Sequence, residues 1–176
     1  GDYSLSFDGW DDYILFENVI AGKQYTLEAL VFLEEEVDNQ DWHSILTNSI
    51  EQPQWGCESP SLIPMLYGRV EDDEPITRYE WNHLAVVRDY DNHKLYLNGQ
   101  LIKESTVSGL DNVEDYYSVI GAWKYYDTNN LGAREIWNGN LDEIRIWNHS
   151  RSDIQIQQNM NSLINMEGLL AYWKFN

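Results

Sequence analysis

The sequence predicts an all-β domain: two antiparallel sheets packed as a sandwich, with one short helix. Three observations carry that expectation. Short apolar-alternating runs recur along the chain, punctuated by turn residues such as Asp8-Gly9, Gly22-Lys23 and Asn98-Gly99. The stretch Trp81 to Ile102 (WNHLAVVRDYDNHKLYLNGQLI) reads as three strands joined by tight turns. Only one segment, near the C-terminus, carries a helix start signal.

Taken in order, Tyr3 to Phe7 alternates around Leu5 and Phe7, and Asp8-Gly9 turns the chain. Tyr13 to Phe16 follows as a second strand and is expected to close an N-terminal hairpin. Tyr25 to Leu33 is a long strand with Leu27, Ala29, Val31 and Leu33 on one face and Glu28, Leu30 and Phe32 on the other. Trp42 to Ile50 reads as a fourth. From Glu51 to Pro75, Pro53, Pro60, Pro64, Gly56 and Gly68 break the pattern, and only Leu62 to Tyr67 looks strand-like. A connection that long is often functional.

In the central stretch, Leu84-Ala85-Val86-Val87 is apolar on both faces, as in a strand covered from both sides. Lys94 to Leu97 alternates, and Asn98-Gly99 suits a type I′ turn, which needs positive φ at both central residues. Tyr117 to Trp123 and Gly139 to Trp147 are further strands, with the polar, aromatic loop 124–138 between them. Ser152-Asp153 caps a short surface helix, because a Ser or Asp side chain can accept from the free amides of a first turn. Gly168 to Phe175 is the last strand. Trp81, Trp147 and Trp173 lie within strand patterns and are expected in the core.

At 176 residues with 43% hydrophobic content, 8 Trp and 12 Tyr, the chain can bury one sizeable core and is read as a single domain, 1–176. Thirty acidic against 11 basic residues leave a net charge of −19. That excludes nucleic acid, whose phosphates require Lys and Arg, and adsorption to anionic membranes. It suits solubility or cation capture. The lone Cys57 rules out an internal disulfide and a Cys-based zinc site. No long apolar run predicts membrane insertion. The chain opens on Gly1, and the expectation is a module cut from a longer secreted protein.

The segments LSFDGWDDYILF, YTLEALVFL, WNHLAVVRD with HKLYLNGQLI, SVIGAW, GNLDEIRIWNHSRSDIQI and GLLAYWKF, in that order, resemble a laminin G-like, concanavalin A-like jelly-roll domain over nearly the whole chain. The resemblance implies a curved β-sandwich that binds rather than reacts: a carbohydrate-binding or adhesion module, extracellular or at the cell surface, often with calcium at the rim. It places the calcium ligands at Asp8, Asp12 and Asp142, which fall on recurring motif positions. Carboxylates are suitable hard-oxygen ligands for calcium. The same Asp8 and Asp12 would equally serve as Asx-turn acceptors, and Asp142 as an acceptor of backbone amides. Two further acidic groups, Glu71 to Glu74 and Asp111 with Glu114-Asp115, lie in loops and are read as solvated.

A sugar site needs flat apolar faces for the C–H side of a pyranose, with polar groups nearby. Trp123, Tyr125, Tyr126 and Trp137 flank a loop that also offers Asp127, Asn129, Asn130 and Arg134. This group is the expected ligand surface, for a glycan or polysaccharide or, alternatively, for another protein. Trp42, Trp55 and Tyr67 lie in or beside the other aromatic-rich loops. Catalysis is not expected. Retaining glycosidases hold two carboxylates about 5–5.5 Å apart, which one strand supplies at positions i and i+2, and no strand here does. Asp142 and Glu143 are adjacent and so point to opposite faces. His43, His83, His93 and His149 are scattered with no nucleophile motif beside them. Asn148-His149-Ser150 fits an N-glycosylation acceptor.

Overall fold

The computed structural model describes residues 3–34, 42–48, 54–58, 62–66, 70–71, 75–108, 117–123, 133–161 and 165–175. In chain order the strands are β1 (Leu5–Asp8), β2 (Ile14–Glu17), β3 (Gln24–Leu33), β4 (Trp42–Asn48), β5 (Gln54–Glu58), β6 (Ile63–Leu66) and β7 (Val70–Glu71). They continue with β8 (Trp81–Asp89), β9 (Asn92–Leu97), β10 (Gln100–Thr106), β11 (Tyr117–Ile120) and β12 (Asn138–Trp147). Helix α1 (Asp153–Asn159) and β13 (Leu169–Trp173) complete the described elements. One sheet runs β1-β12-β3-β8-β9-β10, with β13 also paired to β12, and the other runs β2-β11-β4-β5-β6-β7. Every pairing is antiparallel. The expected all-β sandwich with one short helix is what forms.

The core lies between the sheets. Leu27, Ala29, Val31 and Leu33 of β3 are fully buried beside Leu84 and Val86 of β8, and Ile45, Leu46, Trp55, Leu66 and Ile120 meet them from the second sheet. Each large side chain so buried contributes about 1.5–3 kcal/mol. Strand β8 is covered on both faces, as its unbroken apolar run requires. Its outward Ala85 and Val87 pack with Tyr96 and Ile156 in a smaller cluster beneath α1. That helix starts on a capping box. Ser152 Oγ accepts from the Gln155 amide, and Gln155 Oε1 accepts from the Ser152 amide at 2.8 Å. The β9–β10 turn has φ of 50° at Asn98 and 76° at Gly99, the type I′ geometry expected of Asn-Gly.

Three expectations are corrected. The N-terminal strands do not form a hairpin: β1 pairs with β12 in one sheet and β2 with β11 in the other. Their apolar residues, Phe7 against Ile14 and Phe16, face one core from opposite sides, and the link between them crosses the roughly 10 Å between sheets. The 51–75 region contains strand β5, hidden by Gly56 and the flanking prolines, whose Trp55 and Cys57 are fully buried. Trp81 is 45% exposed, on the outer face beside Phe32 at 5.6 Å between ring centroids, rather than in the core. Trp147 is buried and Trp173 packs against the core, as expected.

Candidate functional site

The link from β1 to β2 forms one rim of the sandwich and concentrates charge there. Asp8 Oδ1 accepts from the Trp10 amide at 2.8 Å, an Asx turn continued by Gly9 at φ 75°. Asp12 Oδ2 accepts from the Asp8 amide at 3.0 Å. These bonds fold the link tightly enough that carboxylate oxygens of Asp8, Asp11 and Asp12 all lie within 4.8 Å of one another, each residue exposed. Three hard oxygens converging in solvent suit a calcium ion by donor chemistry. Trp10 stands in the same link, 78% exposed, and Tyr13 is exposed beyond it. Sequence reasoning passed over Trp10 because a tryptophan inside a presumed hairpin turn carries no periodicity to mark its direction.

Asp142 does not join this group. On β12 the neighbour of Asp8 is Asn138, four positions before Asp142 and about 13 Å away at 3.3 Å per residue. Asp142 Oδ1 instead accepts from the Glu143 amide at 2.7 Å and the Phe175 amide at 3.2 Å. The carboxylate fastens a bulge in β12 to the C-terminal segment. Of the expected trio Asp8, Asp12 and Asp142, only Asp8 and Asp12 come together, and the third carboxylate that converges with them is that of Asp11.

The expected aromatic loop is only partly described. Tyr125, Tyr126, Asp127, Asn129 and Asn130 lie outside the described residues, as do Tyr67, 72–74 and 111–115. Trp123 and Arg134 bracket that loop through a two-way backbone pair, each amide bonding the other's carbonyl at 2.8 Å. Trp123 is half-buried and Arg134 exposed. Trp137 is fully buried in the main core, its ring edge-on to His43 at 6.4 Å. A ring closed off from solvent is no stacking surface, so Trp137 leaves the ligand set. Trp42 and Trp55 are likewise buried strand residues.

A second charged group sits on the outer face of the larger sheet. Glu28 is buried with Arg151 and Arg145 paired to its carboxylate and His83 Nε2 3.4 Å away. Burial alone would raise this carboxyl. The close His83 imidazole and the charges of Arg151, His83 and Arg145 outweigh it and hold the group below the usual carboxylate value. Glu143 accepts from Arg145 and from Tyr172 Oη at 2.6 Å. Burial, then this bond, pushes the Tyr172 phenol up to about 12. The alternation that put Glu28 opposite Leu27 could have flagged it, since an acid on a covered face needs partners. Burial pushes the Cys57 thiol well above its ordinary value, away from nucleophile chemistry. Among the described residues, no helix is long and apolar enough to cross a membrane.

A family model described as the concanavalin A-like lectin/glucanases superfamily matches residues 8–157. No curated protein matches. Among solved structures, a candidate carbohydrate-binding protein from Bacteroides ovatus superposes with TM-score 0.73 at 20% identity, over 97% of this chain and 52% of that one. The chain thus spans about half the length of that protein. A SAP-like pentraxin from Limulus polyphemus gives TM-score 0.67 at 15% identity over 91% of this chain and 83% of that one. Domain 4 of AbnA, a GH43 extracellular arabinanase from Geobacillus stearothermophilus in complex with arabinotriose, gives 0.58 at 17% identity over 80% of this chain and 68% of that one. At such identities the likeness establishes the fold alone.

Proposed function

This chain belongs to the concanavalin A-like lectin/glucanases superfamily, and we propose that within it the chain is a non-catalytic, extracellular carbohydrate-binding module assisted by calcium. The observation that carries the reading is Trp10, 78% exposed beside three converging carboxylates. An indole face left in water matches the C–H face of a pyranose. A cation held by Asp8, Asp11 and Asp12 would order the link that presents the indole and could offer open coordination positions to sugar hydroxyls. The carbohydrate-binding Bacteroides candidate and the arabinotriose-bound arabinanase domain support the same ligand class on this fold.

The disposition of the carboxylates supports binding over hydrolysis. Glu28 is buried among cations, Glu143 is bonded to Arg145 and Tyr172, and Asp142 is committed to backbone amides. None is left as a free acid–base pair across a cleft. The test is affinity electrophoresis through gels containing plant, fungal and bacterial polysaccharides, with the same mixtures assayed for new reducing ends. Retardation by at least one polysaccharide with no release of reducing ends supports the reading. Release of reducing ends would make the chain a hydrolase. Equal mobility in every gel would favour a surface-protein module that uses Trp10 and Tyr13 against another protein.

A further inference from the structure

At the far end of β12 the chain leads through residues 148–151 into α1, and the turn at 165–168 folds back beside them. Together they enclose a cleft of about 530 Å³, within the roughly 300–1,000 Å³ of small-molecule sites. It is remote from the rim carboxylates. Asp8 pairs with Asn138, and Trp147 lies nine residues further along the strand, about 30 Å at 3.3 Å per residue.

Contacts within the chain hold the walls. Arg151, 3% exposed, lays its guanidinium 4.0 Å over the Trp147 ring and pairs with Glu28 behind it. Its amide donates to Thr26 Oγ1 at 3.0 Å, and that hydroxyl donates to the His149 carbonyl at 2.8 Å. The His149 ring stands edge-on to Trp147 at 6.0 Å. Gly168 closes the turn at φ 76°, where a Cβ would come within 2.4 Å of His149 Nδ1 and 2.5 Å of Asn148 Oδ1. Only glycine leaves that space open.

The unused hydrogen-bonding groups define what would fit. Gln155 Oε1 is taken by the Ser152 amide and hydroxyl, at 2.8 and 3.1 Å. Asn165 Oδ1 is taken by the Glu167 amide at 2.9 Å, and Asn148 Oδ1 lies 3.2 Å from His149 Nδ1. Three carboxamides line the cleft: those of Gln155 and Asn165 have their oxygens engaged and their NH₂ groups left to donate, and that of Asn148 stands beside the His149 ring. Trp147 Nε1 and Arg151 Nε, both buried, have no protein acceptor. Against these donors the lining sets one exposed carboxylate, Glu167.

We propose that this cleft binds a neutral, hydroxyl-rich ring, an unmodified pyranose unit, at a site separate from the rim. Ring and hydroxyl oxygens accept from the carboxamides, and one hydroxyl donates to Glu167. An apolar ligand would strand the carboxamide NH₂ groups, each at a cost of about 1–3 kcal/mol. An acidic sugar would set its carboxylate against Glu167 and the net charge of −19. The assignment rests on the carbohydrate-binding reading and extends it to a second subsite.

The experiment is a ¹H–¹⁵N correlation titration of the whole domain with methyl glucoside, galactoside, mannoside and xyloside, and with a methyl glucuronide as the acidic probe. At least one neutral glycoside is expected to shift the Trp147 indole N–H and the side-chain NH₂ signals of Asn148, Gln155 and Asn165. Glu167→Gln, an exposed change that leaves the fold intact, should weaken that response roughly tenfold. Gly168→Ala should abolish it. Shifts confined to Trp10 and Asp8–Asp12 would overturn the cleft and leave the carbohydrate-binding reading standing. Silence with every glycoside would overturn both, and a stronger response to the glucuronide would overturn the neutral ligand.

Discussion

Tyr96 Oη donates to Asp153 Oδ1 across 2.7 Å, tying the first residue of the helix to β9, the strand next to the β10 edge of the larger sheet. Lys94 Nζ reaches the same oxygen at 3.2 Å. The Tyr96 bond foremost, then that of Lys94, holds the Asp153 carboxyl below its ordinary value. The Tyr96 phenol is pushed the other way, by burial first and then by Asp153. The helix thus docks through polar bonds at both ends, Tyr96 and Lys94 to Asp153 and Arg145 Nη1 to the Asn159 carbonyl at 2.8 Å, above a small apolar cluster rather than through a long stripe.

Tyr96→Phe keeps the buried ring and removes the bond. It should cost about 1 kcal/mol, read as a lower urea midpoint with an unchanged denaturant slope.

Glu28 contributes to the acid sensitivity of the fold. Its folded value lies below the ordinary 4.5, so in the interval between them the unfolded chain binds more protons. Stability from Glu28 is therefore complete above about pH 4.5 and lost as pH falls through the folded value. Glu28→Gln leaves Arg151 buried without its anion and Arg145 with Glu143 alone, and should cost about 3–5 kcal/mol at neutral pH. The variant should also lose the part of the parent's acid-side pH dependence that Glu28 supplies, measured as urea midpoints from pH 3 to 7.

Gly56 lies where β5 pairs with β4 at a register shift, and a Cβ there would come within 2.1 Å of the His43 carbonyl oxygen and 2.8 Å of Trp42 Nε1. Backbone cannot yield cheaply. Gly56→Ala should cost at least about 2 kcal/mol and lower the thermal midpoint, whereas Gly22→Ala, with open space around it but φ of 76°, should suffer only the strain of the left-handed conformation.

The rim carboxylates predict a calcium effect on melting. At about ten times the dissociation constant the parent should gain roughly 1.4 kcal/mol. Asp11→Asn, exposed and free of the turn bonds made by Asp8 and Asp12, should keep the calcium-free midpoint and lose most of the gain. An unchanged calcium response in that variant would remove Asp11 from the site.

Much of the fold was legible because period-2 alternation and turn chemistry act locally. The β8–β10 meander, the Asn98-Gly99 turn, the two-sided burial of Leu84 to Val87 and the Ser152 cap all follow from residues a few positions apart. The N-terminal strands misled because alternation fixes which face is buried and not which sheet a strand joins. That choice is made by β12 and β11, more than a hundred residues downstream. Strand β5 was hidden because its inward pair, Trp55 and Cys57, surrounds a glycine that reads as a breaker but is needed for close packing on His43. Asp142 failed as a rim ligand because a motif position carries no distance along its strand. Trp137 failed because a polar sequence neighbourhood does not keep an indole out of the core. The cleft beside α1 was illegible from the sequence, since its lining comes from three segments that meet only in the folded chain.

The most direct test of the carbohydrate-binding account is a glycan array probed with the folded parent domain and with Trp10→Ala, each in calcium and in chelator. The account predicts discrete glycan hits for the parent in calcium, weakened at least about tenfold by chelator and by Trp10→Ala, whose melting should stay within about 0.5 kcal/mol of the parent. A blank array in both buffers, from a domain that still unfolds cooperatively, would contradict it.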